Sequence, residues 1–343
     1  MFGTVTTVEG VSAVSLGSPL GPGSSDSFDV KKSARERRVA ANGRLNLKVW
    51  DITSSDGQVI RVWSNQARVQ SPPDALTVVA CAGLGTPPEG WPTLIAQPER
   101  YRVMGAYYRG TAGSPRPEGA EPTIEDHVAD VIALMDHEGV DTAHLIGWSM
   151  GVNIACHAAV HHADRVLSVL GVAGVPGDTF GSLLGPLPLP RSVRRPIGMG
   201  ATRVMSVAGG AIGLLTGVLP AKRTSWLLRH IGMALPSASP AYMEAVVAQL
   251  LQHDFAWYFR LAHGCGQHGP VDCSAITQPV TLLGGRYDVL TSGKHVGERA
   301  AEIANCRFEL LDATHFLPVE LPGLCEDALL DLARRAAAEA AAA

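Results

Sequence analysis

The chain has 343 residues, of which 46% are hydrophobic and 17% are charged, against about 25% charged residues in a typical soluble domain. This composition excludes a wholly disordered chain, because enough apolar side chains are present to build a large core. The formal net charge of −4 provides no overall basic surface for nucleic acid, and we predict no nucleic-acid partner.

The six cysteines are scattered and form neither a C-x-x-C pair nor a spacing typical of zinc sites. We therefore predict reduced, mostly buried thiols in a cytoplasmic protein, and no metal site. No basic segment of a secretory leader precedes Lys31, and Pro19 and several glycines interrupt this region, which agrees with a cytoplasmic location.

Residues 1–44 are rich in Ser and Gly and include a basic run at 31–38. We predict a solvated, partly disordered N-terminal arm. A contact between the basic run and an anionic membrane surface or a partner remains the alternative.

The first predicted elements are strands. Segments 45–50 and 59–63 are alternating or β-branched and flank the turn sequence Ser54-Ser55-Asp56-Gly57, which predicts a hairpin. Segment 76–81 is apolar enough for a strand that is buried on both faces, and another strand is expected near 101–106.

Strands and helices then alternate. The apolar periodicity of 123–138 predicts an amphipathic helix capped by Thr123 with Asp126 at its third position. The elements expected after it are listed here in chain order: strand 144–146, helix 150–161, strand 166–172, strand 280–283, strand 308–311 and helix 322–338. This alternation predicts an α/β fold with a doubly wound, mostly parallel sheet.

The alternation stops at 176 and resumes at 280, so we predict a core of 45–175 and 277–338 with a helical cap inserted at 176–276. Segment 204–221 of this insertion has no charged residue but contains four glycines. We predict an apolar cap helix over a pocket rather than a membrane span. Peripheral contact of this cap with a lipid surface remains an alternative.

The clearest chemical signal is Gly147-Trp148-Ser149-Met150-Gly151, a G-x-S-x-G sequence between a predicted strand and a predicted helix. A sharp strand-to-helix turn needs small residues on both sides of the serine. It would expose the Ser149 hydroxyl at the carboxyl edge of the sheet, near the positive end of the helix. The context therefore predicts a nucleophile.

A serine nucleophile needs a base and an orienting acid. Asp288 follows the strand 280–283 and a Gly pair, and His315 follows the next strand. Both would lie at the same sheet edge as Ser149, in the chain order Ser, Asp, His. Asp178 is the alternative acid, whereas Asp312 is expected to accept a loop hydrogen bond. The other histidines, including His253, His161 and His268, are expected to pack or to lie at the surface.

With these motifs, the chain resembles the α/β-hydrolase family with a serine nucleophile and a helical cap, over about residues 45–335. Segment 108–114 is similar to the family's R-G-x-G-x-S loop, with one extra residue. Segment 80–85 is similar to its oxyanion loop, although Ala82 stands where the family usually has His. The resemblance implies catalytic Ser149, Asp288 and His315. It also implies an oxyanion hole formed by the backbone N–H groups of Met150 and Leu84, and no cofactor.

The cap is the only guide to the substrate. Its apolar excess favours a pocket for an apolar acyl or alkyl group, so the expected substrate is a small-molecule carboxylic ester. Arg191, Arg194 and Arg195 suggest an anionic substrate, such as an acyl thioester, as an alternative to plain surface charge. Acyl transfer, C–C hydrolysis, haloperoxidase-like perhydrolysis and a non-catalytic scaffold share the same sequence features, and the oligomeric state is left open. The apolar residues behind this expectation are Leu183, Leu184, Leu187, Leu189, Ile212, Leu214, Leu215, Met233, Leu235, Phe255, Trp257, Tyr258 and Phe259.

Overall fold

The computed structural model describes residues 47–66, 72, 74–119, 121–183 and 190–342. The predicted N-terminal arm, the first two residues of the predicted hairpin and Leu184, Leu187 and Leu189 of the predicted cap lie outside these residues.

The described strands form an eight-stranded mixed sheet in the order β1-β2-β4-β3-β5-β6-β7-β8. The strand β2 runs antiparallel to both neighbours, and the remaining pairs are parallel. The strands are β1 Lys48–Thr53, β2 Val59–Ser64, β3 Leu76–Cys81, β4 Tyr101–Ala106, β5 Ala143–Trp148, β6 Val166–Val172, β7 Val280–Gly285 and β8 Cys306–Leu311. The predicted fold class is confirmed.

The hairpin prediction is confirmed with a shifted first strand. The expected strand ended at Trp50, but β1 continues to Thr53, where it pairs with Val59 of β2. The turn closes through a hydrogen bond from Ser54 N to the Gln58 carbonyl (2.8 Å), and Gly57 adopts a φ of +84° there. Alternation marks which face is buried, but cross-strand pairing sets where a strand ends.

The α-helices among the described residues are α1 Pro92–Ile95, α2 Ile124–His137, α3 Met150–His161, α4 Arg191–Thr216, α5 Ala221–His230, α6 Pro240–Leu251, α7 Phe255–Gln267, α8 Gly293–Ala300, α9 Leu317–Glu320 and α10 Pro322–Ala342. The predicted cap of α2 is confirmed, since the Thr123 side chain accepts from Asp126 N and the Asp126 carboxylate accepts from Thr123 N.

Two apolar clusters cover the two faces of the sheet. One cluster contains buried residues of α2, α3 and α8, and the other contains buried residues of α1, α6 and α10. Every residue of β5 and β7 is buried, as expected for parallel strands with helices on both sides. This packing fixes the carboxyl edge of the central strands, from which the site is built.

Helices α4 to α7 lie in the chain between β6 and β7. Residues Ser192–Thr216 of α4 form the only described helix segment that is long and apolar enough to cross a membrane, at a mean hydropathy of 1.2. The buried share of its most apolar window is 17%. The six cysteines are unpaired, and five are buried. Burial raises the pKa of Cys81 to about 12, which agrees with the predicted reduced thiols.

Candidate active site

Ser149 lies in the turn between β5 and α3 with φ +55° and ψ −117°, a strained conformation for a residue with a side chain. The turn is possible because glycines lie two positions before and two positions after Ser149. A Cβ on Gly147 would lie 2.5 Å from the Gly151 carbonyl oxygen, and a Cβ on Gly151 would lie 2.0 Å from the Cys81 carbonyl oxygen. The predicted G-x-S-x-G turn therefore forms where it was expected.

The side chains of Ser149, His315 and Asp288 form one hydrogen-bonded chain. His315 Nε2 lies 2.9 Å from Ser149 Oγ, and His315 Nδ1 lies 2.9 Å from Asp288 Oδ2. The three residues come from loops after β5, β8 and β7, whose carboxyl ends meet at one sheet edge. The structure thus brings together all three residues that the sequence singled out.

The surroundings of Asp288 define the direction of these hydrogen bonds. The Asp288 side chain is buried, and its Oδ1 accepts from the backbone N–H groups of Leu290 and Thr291, each at 2.8 Å. Both donors act on Oδ1, which leaves Oδ2 as the acceptor that faces His315 Nδ1. His315 Nδ1–H then donates to Oδ2, and Nε2 is left to accept the hydroxyl proton of Ser149.

The alternative acid lies elsewhere in the hydrogen-bond network. Asp178 adopts a left-handed conformation after β6 and has a carboxylate oxygen 3.8 Å from Arg195 Nε. Asp312 accepts from Arg286 Nε at 2.7 Å, in line with the predicted loop acceptor. The geometry therefore pairs His315 with Asp288.

The loop after β3 lies directly against the serine turn. The close approach of Gly151 involves the carbonyl oxygens of both Cys81 and Ala82, so the first residues of α3 contact the segment that leads to Leu84. Met150 begins α3 immediately after Ser149. Both predicted oxyanion donors thus lie on two segments in contact, beside the serine turn.

The comparisons with known proteins agree on the fold. Residues 77–200 match the family model described as alpha/beta hydrolase fold. The chain is similar to the enol-lactonase from Burkholderia xenovorans LB400, at 20% identity and a TM-score of 0.61 over 83% of this chain and 100% of that chain. It is also similar to a thermophilic esterase from Thermogutta terrifontis, at 18% identity and a TM-score of 0.63 over 84% and 99%.

This chain has the alpha/beta hydrolase fold. A protein of Caulobacter sp. (strain K31) named carbamate hydrolase RutD is 34% identical over 102 residues, which cover 29% of this chain and 38% of that relative. The match therefore spans less than half of the relative's length.

The histidine loop is held from two sides. Trp148 Nε1 donates to the His315 carbonyl at 2.8 Å. The buried carboxylate of Glu320 accepts from Thr314 N (2.8 Å) and Thr314 Oγ1 (2.6 Å), and also from Leu235 N (2.8 Å) in the cap. Glu320, which the sequence reasoning did not single out, therefore joins the histidine loop to the cap.

His253 supports the predicted oxyanion loop from the cap side. Its Nε2–H donates to the Gly85 carbonyl at 3.0 Å, and Tyr258 Oη donates to the Leu84 carbonyl at 3.4 Å. Burial lowers the pKa of His253 despite the bond to Gly85, which raises it. His253 lies in the link between α6 and α7. It thus contacts the loop that contains Ala82 and Leu84.

The loop similar to R-G-x-G-x-S is anchored by Arg109. This buried guanidinium contacts Asp130 of α2 and Asp56 of the hairpin turn, each at 2.6 Å. Burial alone would lower its pKa, but the two carboxylates raise the pKa above its usual value. Arg109 therefore positions the loop and lies outside the hydrogen-bonded chain of Ser149.

The apolar residues of the cap divide into two groups. Phe255 and Trp257 are buried, and Trp257 Nε1 donates to the Arg109 carbonyl at 2.8 Å. Leu214 and Leu215 were expected to contribute to an apolar pocket, but both are exposed. That expectation is wrong for these two residues, because α4 packs through its small residues and leaves its larger side chains outside.

Proposed function

We propose that this protein is a serine hydrolase that cleaves a carboxylic ester with an apolar acyl or alkyl group through an acyl-enzyme. The observation that carries the proposal is the chain from Ser149 Oγ to His315 to Asp288, with both contacts at 2.9 Å. A base within hydrogen-bond reach of a hydroxyl, itself oriented by a carboxylate, is the arrangement that activates serine.

In the proposed reaction, Ser149 Oγ attacks the carbonyl carbon while its proton passes to His315 Nε2. Asp288 holds the imidazole in the required tautomer and stabilises the imidazolium. The protonated Nε2 then donates the proton to the leaving alkoxide as the C–O bond breaks. Water, deprotonated by the same nitrogen, releases the carboxylic acid and regenerates the serine. The mechanism needs no cofactor.

The oxyanion of the tetrahedral intermediate would be stabilised by the backbone N–H groups of Met150 and Leu84. Removing one such donor typically costs about 2.7–4 kcal/mol of transition-state stabilisation. The contact between Gly151 and the Cys81–Ala82 backbone supports this assignment, because it brings the two donor segments together.

Ester hydrolysis is also supported by the similar proteins, whose names describe an enol-lactonase, an esterase and a carbamate hydrolase. Lactones, esters and carbamates all contain a carbonyl carbon bonded to a heteroatom, which is the group that the proposed Ser149 nucleophile attacks. The apolar cap favours an ester among these. The alternative functions are thioester hydrolysis, C–C hydrolysis, acyl transfer, perhydrolysis and a scaffold without activity.

The test is hydrolysis of p-nitrophenyl esters from acetyl to palmitoyl by the wild type, Ser149→Ala and Ser206→Ala, which changes a serine on α4. We expect turnover that peaks at one chain length, disappears in Ser149→Ala and persists in Ser206→Ala. If the wild type is inactive but reacts with a fluorophosphonate at Ser149, the ester class is wrong and the other acyl substrates follow. If the wild type neither hydrolyses the esters nor reacts with the fluorophosphonate, the proposal that this protein is an enzyme is wrong.

A further inference from the structure

The charge on α4 and α5, the first two helices of the cap, has a single sign. No Asp or Glu occurs between Asp178 and Glu244, whereas seven basic residues lie in this stretch. They are Arg191, Arg194, Arg195, Arg203, Lys222, Arg223 and Arg229. In a chain with a net charge of −4, this segregation produces a locally cationic surface that attracts anions.

The same stretch exposes large apolar side chains along one stripe. Val204, Val207, Leu214 and Val218 are spaced by three, seven and four residues, which places them on one face of α4 and the turn after it. Val207 is 87% exposed, Leu214 is 80% exposed and Val218 is 78% exposed. We define the cap apolar face as Val204, Val207, Leu214, Leu215, Val218, Leu219, Trp226, Leu227 and Ile231, all exposed.

The opposite side of α4 packs against the protein. A Cβ on Gly209 would lie 2.1 Å from Ala256 N of α7, and Thr202 Oγ1 lies 3.1 Å from His263 Nδ1 of the same helix. A span across a bilayer would break this packing. The helix instead has one face fixed on the cap and one apolar face outward, which is the pattern of a helix that lies in a membrane interface.

We propose that the cap apolar face docks on an anionic phospholipid surface, with α4 and α5 lying in the plane of the interface. The apolar stripe would enter the boundary between headgroups and acyl chains. Arg203, Lys222 and Arg223 would contact the anionic headgroups. Trp226 on α5 is a residue type that favours this depth. The positive charge favours an anionic lipid surface over a second copy of this chain as the partner of the cap apolar face, since two copies would bring like charges together.

The docked face leads toward the histidine loop. The cap apolar face ends at Ile231, and four residues later Leu235 N donates to Glu320, which also holds Thr314 next to His315. An ester drawn from the lipid surface would therefore enter beside the proposed catalytic centre. This substrate route rests on the proposed function, whereas the docking itself does not.

The test is co-sedimentation of the full chain with vesicles of phosphatidylcholine alone or mixed with phosphatidylserine. We expect binding to the mixed vesicles that weakens as salt rises. The Arg203→Gln/Lys222→Gln/Arg223→Gln variant should bind on the order of 100-fold more weakly, from about 1 kcal/mol per basic residue. Val207→Glu/Leu214→Glu should abolish binding, and Val49→Glu on the exposed side of β1 should not.

The hydrolysis of a water-soluble acetyl ester separates docking from chemistry. The docking variants should keep the wild-type rate on this ester and lose activity only on vesicle-bound ester. Failure of the wild type to sediment with the mixed vesicles would overturn the proposal. So would an ultracentrifugation result in which the wild type is a dimer and Val207→Glu/Leu214→Glu is a monomer, because the occupant would then be a second copy.

A second, independent feature is a cluster of metal-ligand side chains far along α3 from Ser149. Glu125 of α2, His157 of α3 and His268 after α7 offer ligand atoms that all lie within 4.8 Å of one another. His268 Nδ1 lies 3.0 Å from Glu125 Oε1. The other nitrogen, His268 Nε2, is buried without a hydrogen-bond partner among the described residues. Such an atom needs an explanation.

The cluster is accessible and continues along α3. Glu125 and His157 line a cavity of about 550 Å³, which gives an ion a path from solvent. The His161 ring lies 4.2 Å from the His157 ring, one helical turn further on.

The geometry points to a divalent transition-metal site formed by Glu125, His157 and His268, of the imidazole-and-carboxylate type that Zn²⁺ occupies. The sequence predicted no metal site, because the three ligands are distant in the chain and follow no ligand spacing. Since His268 follows a cap helix while Glu125 and His157 belong to core helices, a bound ion would join the cap to the core.

Calorimetric titration of the untagged, EDTA-treated chain with ZnCl₂ tests this site. We expect one saturable equivalent of Zn²⁺, a raised Tm with Zn²⁺ and no binding of MgCl₂. His268→Gln and His157→Gln should each lose at least tenfold in affinity, whereas His230→Gln on α5 should bind as the wild type does. Unchanged binding in His268→Gln, or no saturable binding in the wild type, would contradict the assignment.

Discussion

The carboxyl edge of the sheet and the cap use the same residue types in opposite ways. At the sheet edge, Gly147 and Gly151 have no room for a Cβ, and the carboxylates of Asp288 and Glu320 are buried and hydrogen-bonded. In the cap, a Cβ on Gly210 would meet nothing within 4 Å, and no Asp or Glu occurs between Asp178 and Glu244. The sheet edge is thus constrained from within, whereas the outer cap is free to adapt to what it contacts.

The largest expected effect in the constrained region comes from changing Asp288, the acid that contacts His315. Asp288→Asn should lower kcat about 10⁴-fold, because the amide cannot stabilise the tautomer and imidazolium that His315 needs. Asp178→Asn should leave kcat within about twofold, a change near 0.4 kcal/mol. Steady-state kinetics of the two variants on one ester provide the comparison. Equal losses would contradict the assignment of Asp288.

Gly151→Ala should destabilise the protein by about 3 kcal/mol, since the new Cβ would overlap the Cys81 carbonyl oxygen at 2.0 Å and overpacking of this kind forces the backbone to move. Urea unfolding followed by circular dichroism measures the loss. A midpoint equal to that of the wild type would show that the serine turn is less constrained than its geometry indicates.

The buried His144 of β5 should make stability depend on pH. Burial lowers its pKa to about 4, so between about pH 6.5 and 4 the unfolded chain binds a proton that the folded chain excludes, and stability falls as pH falls. Relative to His144→Gln, the wild type should lose about 2 kcal/mol of unfolding free energy from pH 7 to pH 5. Parallel curves for the two proteins would disprove this.

His253 connects the two regions, because it donates from the cap to Gly85 of the predicted oxyanion loop. His253→Ala should lower kcat about tenfold, or about 1.4 kcal/mol, with KM nearly unchanged. His253→Gln, which can still donate to Gly85, should recover most of the rate. His263→Ala is the matched control, since this cap histidine contacts Thr202 on α4 instead.

The smallest expected effect has the opposite sign. Gly210→Ala on α4 places a Cβ in open space and should stabilise the protein by about 0.5–1 kcal/mol, because alanine favours the helix over the unfolded chain. The substitution is chemically identical to Gly151→Ala. Urea unfolding of the two variants therefore isolates the difference between the sheet edge and the cap. A loss of stability in both variants would show that α4 is as constrained as the serine turn.

The local sequence was enough to predict most strands and helices of the core, and also Ser149, Asp288 and His315. Apolar strands separated by amphipathic helices specify a parallel sheet, and the carboxyl ends of such strands meet at one edge. Gly147-Trp148-Ser149-Met150-Gly151 is recognisable because its steric requirement is local. Asp288 and His315 follow from chain order, since each comes directly after a strand of the same sheet.

Tertiary packing alone decided the contacts between the cap and the core. Glu320 with Leu235, His253 with Gly85 and Glu125 with His268 each join residues that lie far apart in the chain, and no periodicity marks them. The outward position of Leu214 was equally invisible, because apolar periodicity identifies a face of a helix but does not say what that face contacts. Small residues such as Gly209 determined which side of α4 packs, since only they allow the close approach to α7.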